Sequence, residues 1–222
     1  MFKTTGWWPA ADLPNEKAVY KKRKKLKEFQ KFEICVGAIL TQNTSWKNAE
    51  KSIENLKQQK LFSLEKISHA KPGTIARAIR SSGYYNQKTK KIQAFCRHVL
   101  KNHKTIARFL KQPAKKLRSE LLSLHGIGPE TADSIILYAS NQPVFVVDAY
   151  TRRFVERFWN KKLDYKKAQE SFETQLPKNA ELFNEYHALL VEHAKRFCAS
   201  KPNCTDCFLG KKCGNPKTRK NP

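Results

Sequence analysis

LHGIGPETAD, residues 124–133, turns the chain between two amphipathic runs through a corner of the order apolar, any, Gly, apolar, Gly. Leu117, Leu121 and Leu124 recur at helical spacing before it, and Ala132, Ile135, Ile136 and Ala139 after it. Glycines at 126 and 128 permit positive φ and leave main-chain N–H groups unobstructed. Together with the positive end of the following helix, such amides cradle a phosphate, a contact that fixes position on a nucleic-acid backbone without reading sequence. An ordinary tight helix–helix corner is the alternative at this point. Propensity alone also suits Pro129 and Glu130 to a first helical turn, where proline is preorganised and a carboxylate complements the helix dipole.

The charge of the chain favours the phosphate. Forty-four Lys and Arg against nineteen Asp and Glu leave a formal +25 over 222 residues. The simplest use of such an excess is to attract a polyanion, most commonly nucleic acid, with an anionic membrane surface as the rival. No apolar run approaches the roughly 20 residues that span a bilayer. The start, MFKTTGWWPAADLPNE, lacks the apolar core of a secretory signal. The expectation is an intracellular protein, cytoplasmic or nucleoid-bound, long enough for one domain or two small lobes.

A reducing compartment changes how the six cysteines read. Cys35 and Cys96 sit alone in helical patterns and suit small buried apolar positions. Cys198, Cys204, Cys207 and Cys213 crowd into CASKPNCTDCFLGKKC, separated by five, two and five residues. Such a cluster points to a metal site before disulfides. Four thiolates suit tetrahedral zinc or an iron–sulfur cubane. Zinc ribbons usually present two close pairs, and here there is a single Cys-x-x-Cys.

The rest of the chain reads as all α. Phe32, Cys35, Val36, Ile39 and Leu40 form one stripe, Ala49, Ile53 and Leu56 a second, and Ile75, Ala76 and Ile79 a short third that ends at Gly83. Ile92, Phe95 and Val99 mark another. VFVVD (144–148) has strand-like residues but no obvious partner, and reads as a buried connector into the helix AYTRRFVERFW. EYHALLVEHAKRFC, a last helix, runs into the cysteines. KKRKKLK (21–27) is a basic run suited to a solvated helix face or an arm.

The ordered set ILTQNTSWKNA, GYYNQKTKKI, LHGIGPETAD, VFVVDAYTRR and CASKPNCTDCFLGKKC, from about Phe32 to Cys213, resembles the endonuclease III branch of the helix-hairpin-helix DNA glycosylases. The resemblance implies a six-helix lobe over 30–142. It implies a second helical lobe from 1–29 plus 143–222, with double-stranded DNA containing a damaged base gripped between them by a monomer. It makes Asp148 the catalytic carboxylate, although an N-cap ahead of AYTRR also explains that residue. Glu130 stands where bifunctional members carry a lysine whose amine forms an imine with the sugar; a carboxylate cannot. The implied activity is hydrolysis by water. Gln42 and Tyr84 match positions from which the family inserts side chains into the duplex.

Adjacent Trp7, Trp8 and Pro9, with Trp46 just after TQNT, resemble the 3-methyladenine branch and would form a base pocket. An electron-poor alkylated purine stacks favourably on an indole. An apolar arm is the other reading of these tryptophans. The cysteine loop resembles the family's 4Fe-4S site, one residue short in its first gap, and would hold Lys201, Lys211 and Lys212 against phosphate. A bifunctional endonuclease III-type enzyme using another lysine, and a non-catalytic damage-binding protein, stand as the alternatives.

Overall fold

The computed structural model describes residues 8–21 and 25–215. Among them the chain is all α: eleven α-helices with short 3-10 and π segments, and one isolated antiparallel bridge, Ala10 to Val19. No described helix is long and apolar enough to cross a membrane. The chain divides into two compact units, one Trp8–Gln142, the other Met1–Trp7 with Pro143–Pro222.

In the first unit α1 (Glu28–Leu40) is the centre, and from Phe32 to Leu40 all its residues are buried. An all-round buried helix needs neighbours on every side. α2 (Trp46–Gln58), α5 (Tyr85–His103) and α6 (Ile106–Leu110) pack against it, as do α8 (Pro129–Ser134) and its π-helical continuation Ile135–Ala139. α3 (Leu64–His69) and α4 (Pro72–Ala78) lie on α5, and α7 (Ala114–Ser123) leads into the glycine corner. Among the described residues the unit holds α1 to α8, two of them, α3 and α6, only five or six residues long. Caps at Ser63 and Thr105 and a proline at position 72 start short helices that apolar spacing alone does not separate.

Residues 8–29 are those the resemblance groups with the C-terminal part. From Trp8 onward they belong to the hairpin-bearing unit. The cause is a buried ion pair. Glu33 on α1 is fully buried and meets Lys57 Nζ on α2 at 2.8 Å. Its second oxygen accepts from Ala11 N at 3.1 Å, and Lys57 also donates to Glu16 O at 2.8 Å. Gln30 Nε2 donates to Ala11 O at 2.7 Å. A buried charge pair is tolerable only when its remaining hydrogen-bonding positions are filled, and the N-terminal segment fills them. Trp7 and most of KKRKK lie outside the described residues.

The second unit contains α9 (Ala149–Phe158), α10 (Tyr165–Gln175) and α11 (Ala180–Arg196), then the cysteine loop with a 3-10 turn at Gly210–Lys212. Phe145 is its core, stacked on Phe172 at 4.3 Å and edge-on to Phe183 at 5.5 Å. VFVVD is the expected buried connector. Side chains of α10 replace a strand partner: Glu173 accepts from Phe145 N at 2.8 Å, and Gln169 Nε2 donates to Phe145 O at 2.6 Å.

Candidate functional site

The corner brings several of the sequence candidates together. Gly126 has φ +77°, and a Cβ there would come within 2.4 Å of the Lys91 stem. Gly128 differs from expectation. Its φ of −93° is open to any residue, and a Cβ would meet nothing within 4 Å. No packing inside the chain requires that glycine; a bare Cα at an exposed corner leaves room for something outside to approach. Glu130 is exposed in the first turn of α8. Behind the corner, Arg118 on α7 clamps Asp133 on α8 with two bonds, Nε–Oδ1 2.6 Å and Nη2–Oδ2 3.0 Å. Asp133 is fully buried, so this fork sets how the two helices meet.

Gln42 is built into the same corner. Its Nε2 donates to Gly126 O at 3.0 Å and Thr131 Oγ1 at 2.9 Å, while its Oε1 accepts from Lys91 Nζ at 2.6 Å. The side chain is a strut here, not a free probe. Tyr84 is the opposite case: 67% exposed, at the start of α5, with a left-handed backbone (φ 45°, ψ 32°) after Gly83 at φ 66°. A non-glycine residue held in that region stores strain, and here it holds an exposed ring out from the surface. Lys88, one turn along α5, is buried and donates to Leu40 O at 2.7 Å and Ser82 O at 2.5 Å. Burial, helped by the neighbouring Lys91 charge, lowers its pKa to about 8. It ties the turn before Tyr84 to the end of α1.

Three aromatic rings gather over α1. Trp8 and Trp46 meet edge-on at 5.6 Å, and Trp8 lies 5.3 Å from Tyr138 on the π segment. Gly37 lets them approach: a Cβ would stand 3.2 Å from Trp46 and 3.4 Å from Trp8. Both tryptophans keep partial exposure, and Trp46 Nε1 is buried with no hydrogen-bond partner among the described residues. Pro9 is buried and lies in the interior rather than on an accessible wall.

In the second unit Asp148 caps α9, its Oδ1 accepting from Thr151 N at 2.7 Å. Its other oxygen faces His187 Nε2 of α11 at 3.4 Å. Burial pushes the Asp148 carboxyl up, but the His187 charge and bond and the Thr151 bonds outweigh it and leave the group below its ordinary value. The carboxylate is therefore ionised at neutral pH, half-buried and oriented.

Residues 36–178 match the family described as HhH-GPD superfamily base excision DNA repair protein. This chain belongs to that superfamily. The glycosylase is 41% identical, over 93% of its length and 88% of the relative's, to a Methanocaldococcus jannaschii protein described as a DNA repair glycosylase. It is 30% identical to endonuclease III of Sulfolobus acidocaldarius, over 82% and 81% of the two chains. Among solved structures, the H. pylori 3-methyladenine DNA glycosylase bound to 1,N6-ethenoadenine matches with a TM-score of 0.67 and 32% identity, over 74% of this chain and 85% of that one. A thermostable thymine-DNA glycosylase matches at TM-score 0.69 and 25% identity, over 83% of each.

The glycosylase also carries a cysteine-rich loop pinned by α9. Arg153 Nε donates to Cys198 O at 2.7 Å, and Arg157 donates to Ala199 O at 2.6 Å and Ser200 O at 3.1 Å. Cys198, Cys204, Cys207 and Cys213 line one pocket with Phe154, Phe158 and Phe197. Gly214 closes the loop: its N–H donates to Phe158 O at 2.9 Å, where a Cβ would collide with the same oxygen. The four thiols of this pocket are a donor set that either a zinc ion or an iron–sulfur cluster takes. Lys201, Lys211 and Lys212 are exposed around it. Sequence reading missed Lys88, Lys91, Tyr138 and His187, whose partners lie far along the chain.

Proposed function

We propose that this base-excision DNA glycosylase is monofunctional and hydrolyses the N-glycosidic bond of an alkylated purine of the 3-methyladenine kind. The observation that carries the reading is the pairing of Glu130 at the hairpin with the Trp8–Trp46–Tyr138 cluster. A carboxylate at 130 offers no amine for an imine, which leaves water as the nucleophile. The partly exposed indoles supply a stacking surface for an electron-poor ring. The likeness to the H. pylori 3-methyladenine DNA glycosylase supports the same substrate class.

Bond cleavage leaves positive charge on the deoxyribose. Asp148, ionised and held by Thr151 and His187, stabilises that charge and orients or deprotonates water. Tyr84 fills the gap left by the extruded base, while the amides around Gly126 and Gly128 hold the strand. Cys198, Cys204, Cys207 and Cys213 would hold a 4Fe-4S cluster, which supplies structure to the basic loop and no step of base release. Lys201, Lys211 and Lys212 then face phosphate.

A second reading, oxidised-pyrimidine excision, has the endonuclease III relatives in its favour. A panel of duplexes, each with one defined lesion, separates the two when freed bases are identified chromatographically. Release of 3-methyladenine, much reduced in Trp46→Ala, is expected. Release of oxidised pyrimidines with no alkylpurine would overturn the substrate assignment.

A further inference from the structure

Away from these residues, His98 and His103 of α5 and Glu120 of α7 form a convergent group. His98 Nε2 and His103 Nε2 lie 2.5 and 2.6 Å from the same oxygen, Glu120 Oε1. The three ligand atoms form a candidate cation group whose members all lie within 4.8 Å. Two imidazole nitrogens and a carboxylate oxygen are a donor set that zinc-class ions take, with room for water in the fourth position.

The surroundings hold this geometry. Glu120 Oε2 accepts from Gln112 Nε2 at 2.6 Å, and the same amide bonds Phe109 O at 3.2 Å. Asn102 Nδ2 meets His98 Nδ1 at 3.2 Å. Phe109 stands edge-on to both imidazoles, at 5.1 Å from His103 and 6.3 Å from His98. Outer partners of this kind fix ring orientation in metal sites. A further atom is unsatisfied: Gln112 Oε1 is buried with no partner among the described residues, one amide's width from the carboxylate. The ligand side chains are 18–22% exposed, which gives an ion a way in.

We propose that His98, His103 and Glu120 bind one divalent cation of the zinc class, separate from the cysteine loop, that ties the C-terminal end of α5 to α7. A tetrahedral site with legs of about 2.0 Å spaces its ligands near 3.3 Å, so the three atoms open slightly as the ion replaces the shared hydrogens. The ion would brace the helix that enters the hairpin against the one whose other end carries Tyr84.

The test is zinc titration of the full chain as purified, with iron content measured alongside. Equilibrium dialysis is expected to show one zinc per chain beyond the iron, and a raised melting midpoint. His98→Ala and His103→Gln are expected to abolish that uptake at unchanged iron content and unchanged circular dichroism. Anomalous scattering at the zinc edge from soaked crystals should place the peak between residues 98, 103 and 120. No uptake, uptake that survives both substitutions, or a peak at the cysteines would overturn the proposal.

Discussion

At the scale of single residues the proposed chemistry rests on Asp148, which is both cap and charge. Asn caps a helix about as well as Asp, so Asp148→Asn separates the two roles. Base release is expected to fall about 100-fold or more, with the helix content unchanged and the melting midpoint lowered only by the loss of the His187 pairing; a variant close to wild type in rate would remove the carboxylate from the reaction. His187 supplies a second test. Burial raises the Asp148 pKa, while the His187 charge and bond, aided by Thr151, bring it below the ordinary value. His187→Gln removes the charge, so the acid limb of the pH–rate profile should move up. The linkage has the same sign: a depressed carboxyl contributes stability above its unfolded pKa and loses it as pH falls through the folded one. An acid limb that stays in place would show that His187 does not set this group. Asp148 itself is readable from VVDAYTRR as a cap, but His187 is not, because its partner is defined by how α11 packs on α9.

Among the elements, the hairpin separates what the fold needs from what DNA needs. Gly126 is left-handed and pressed by Lys91, so Gly126→Ala should cost about 1–3 kcal/mol in stability and disturb the Gln42 strut. Gly128 has ordinary φ and open space, so Gly128→Ala should melt like wild type yet bind duplex more weakly. Equal binding by Gly128→Ala would place the phosphate elsewhere. The corner was legible because glycines, apolar stripes and caps are local signals. The Gln42–Lys91–Gly126 network was not, since its members come from three distant stretches and each looks like a surface polar residue in the sequence. α3 and α6 escaped for a related reason: five or six residues carry too few apolar positions to show a period. The packing of the N-terminal arm was not legible, because the buried Glu33–Lys57 pair that holds it is invisible to hydropathy.

For the whole molecule, a +25 chain with an exposed corner and exposed loop lysines, proposed to meet phosphate, should bind duplex with affinity that falls steeply with salt. The slope of log affinity against log salt should be about −0.9 per phosphate neutralised, and a flat dependence would contradict the electrostatic account. The most direct test of the central claim, that water rather than an amine attacks the sugar, is incubation with a 3-methyladenine duplex in the presence of borohydride. The account predicts free base and no protein–DNA adduct, and, in a parallel reaction without borohydride, an abasic strand that breaks only on later alkali treatment. A trapped covalent adduct, with strand cleavage before alkali, would mean that a lysine forms the imine Glu130 cannot, and would contradict it.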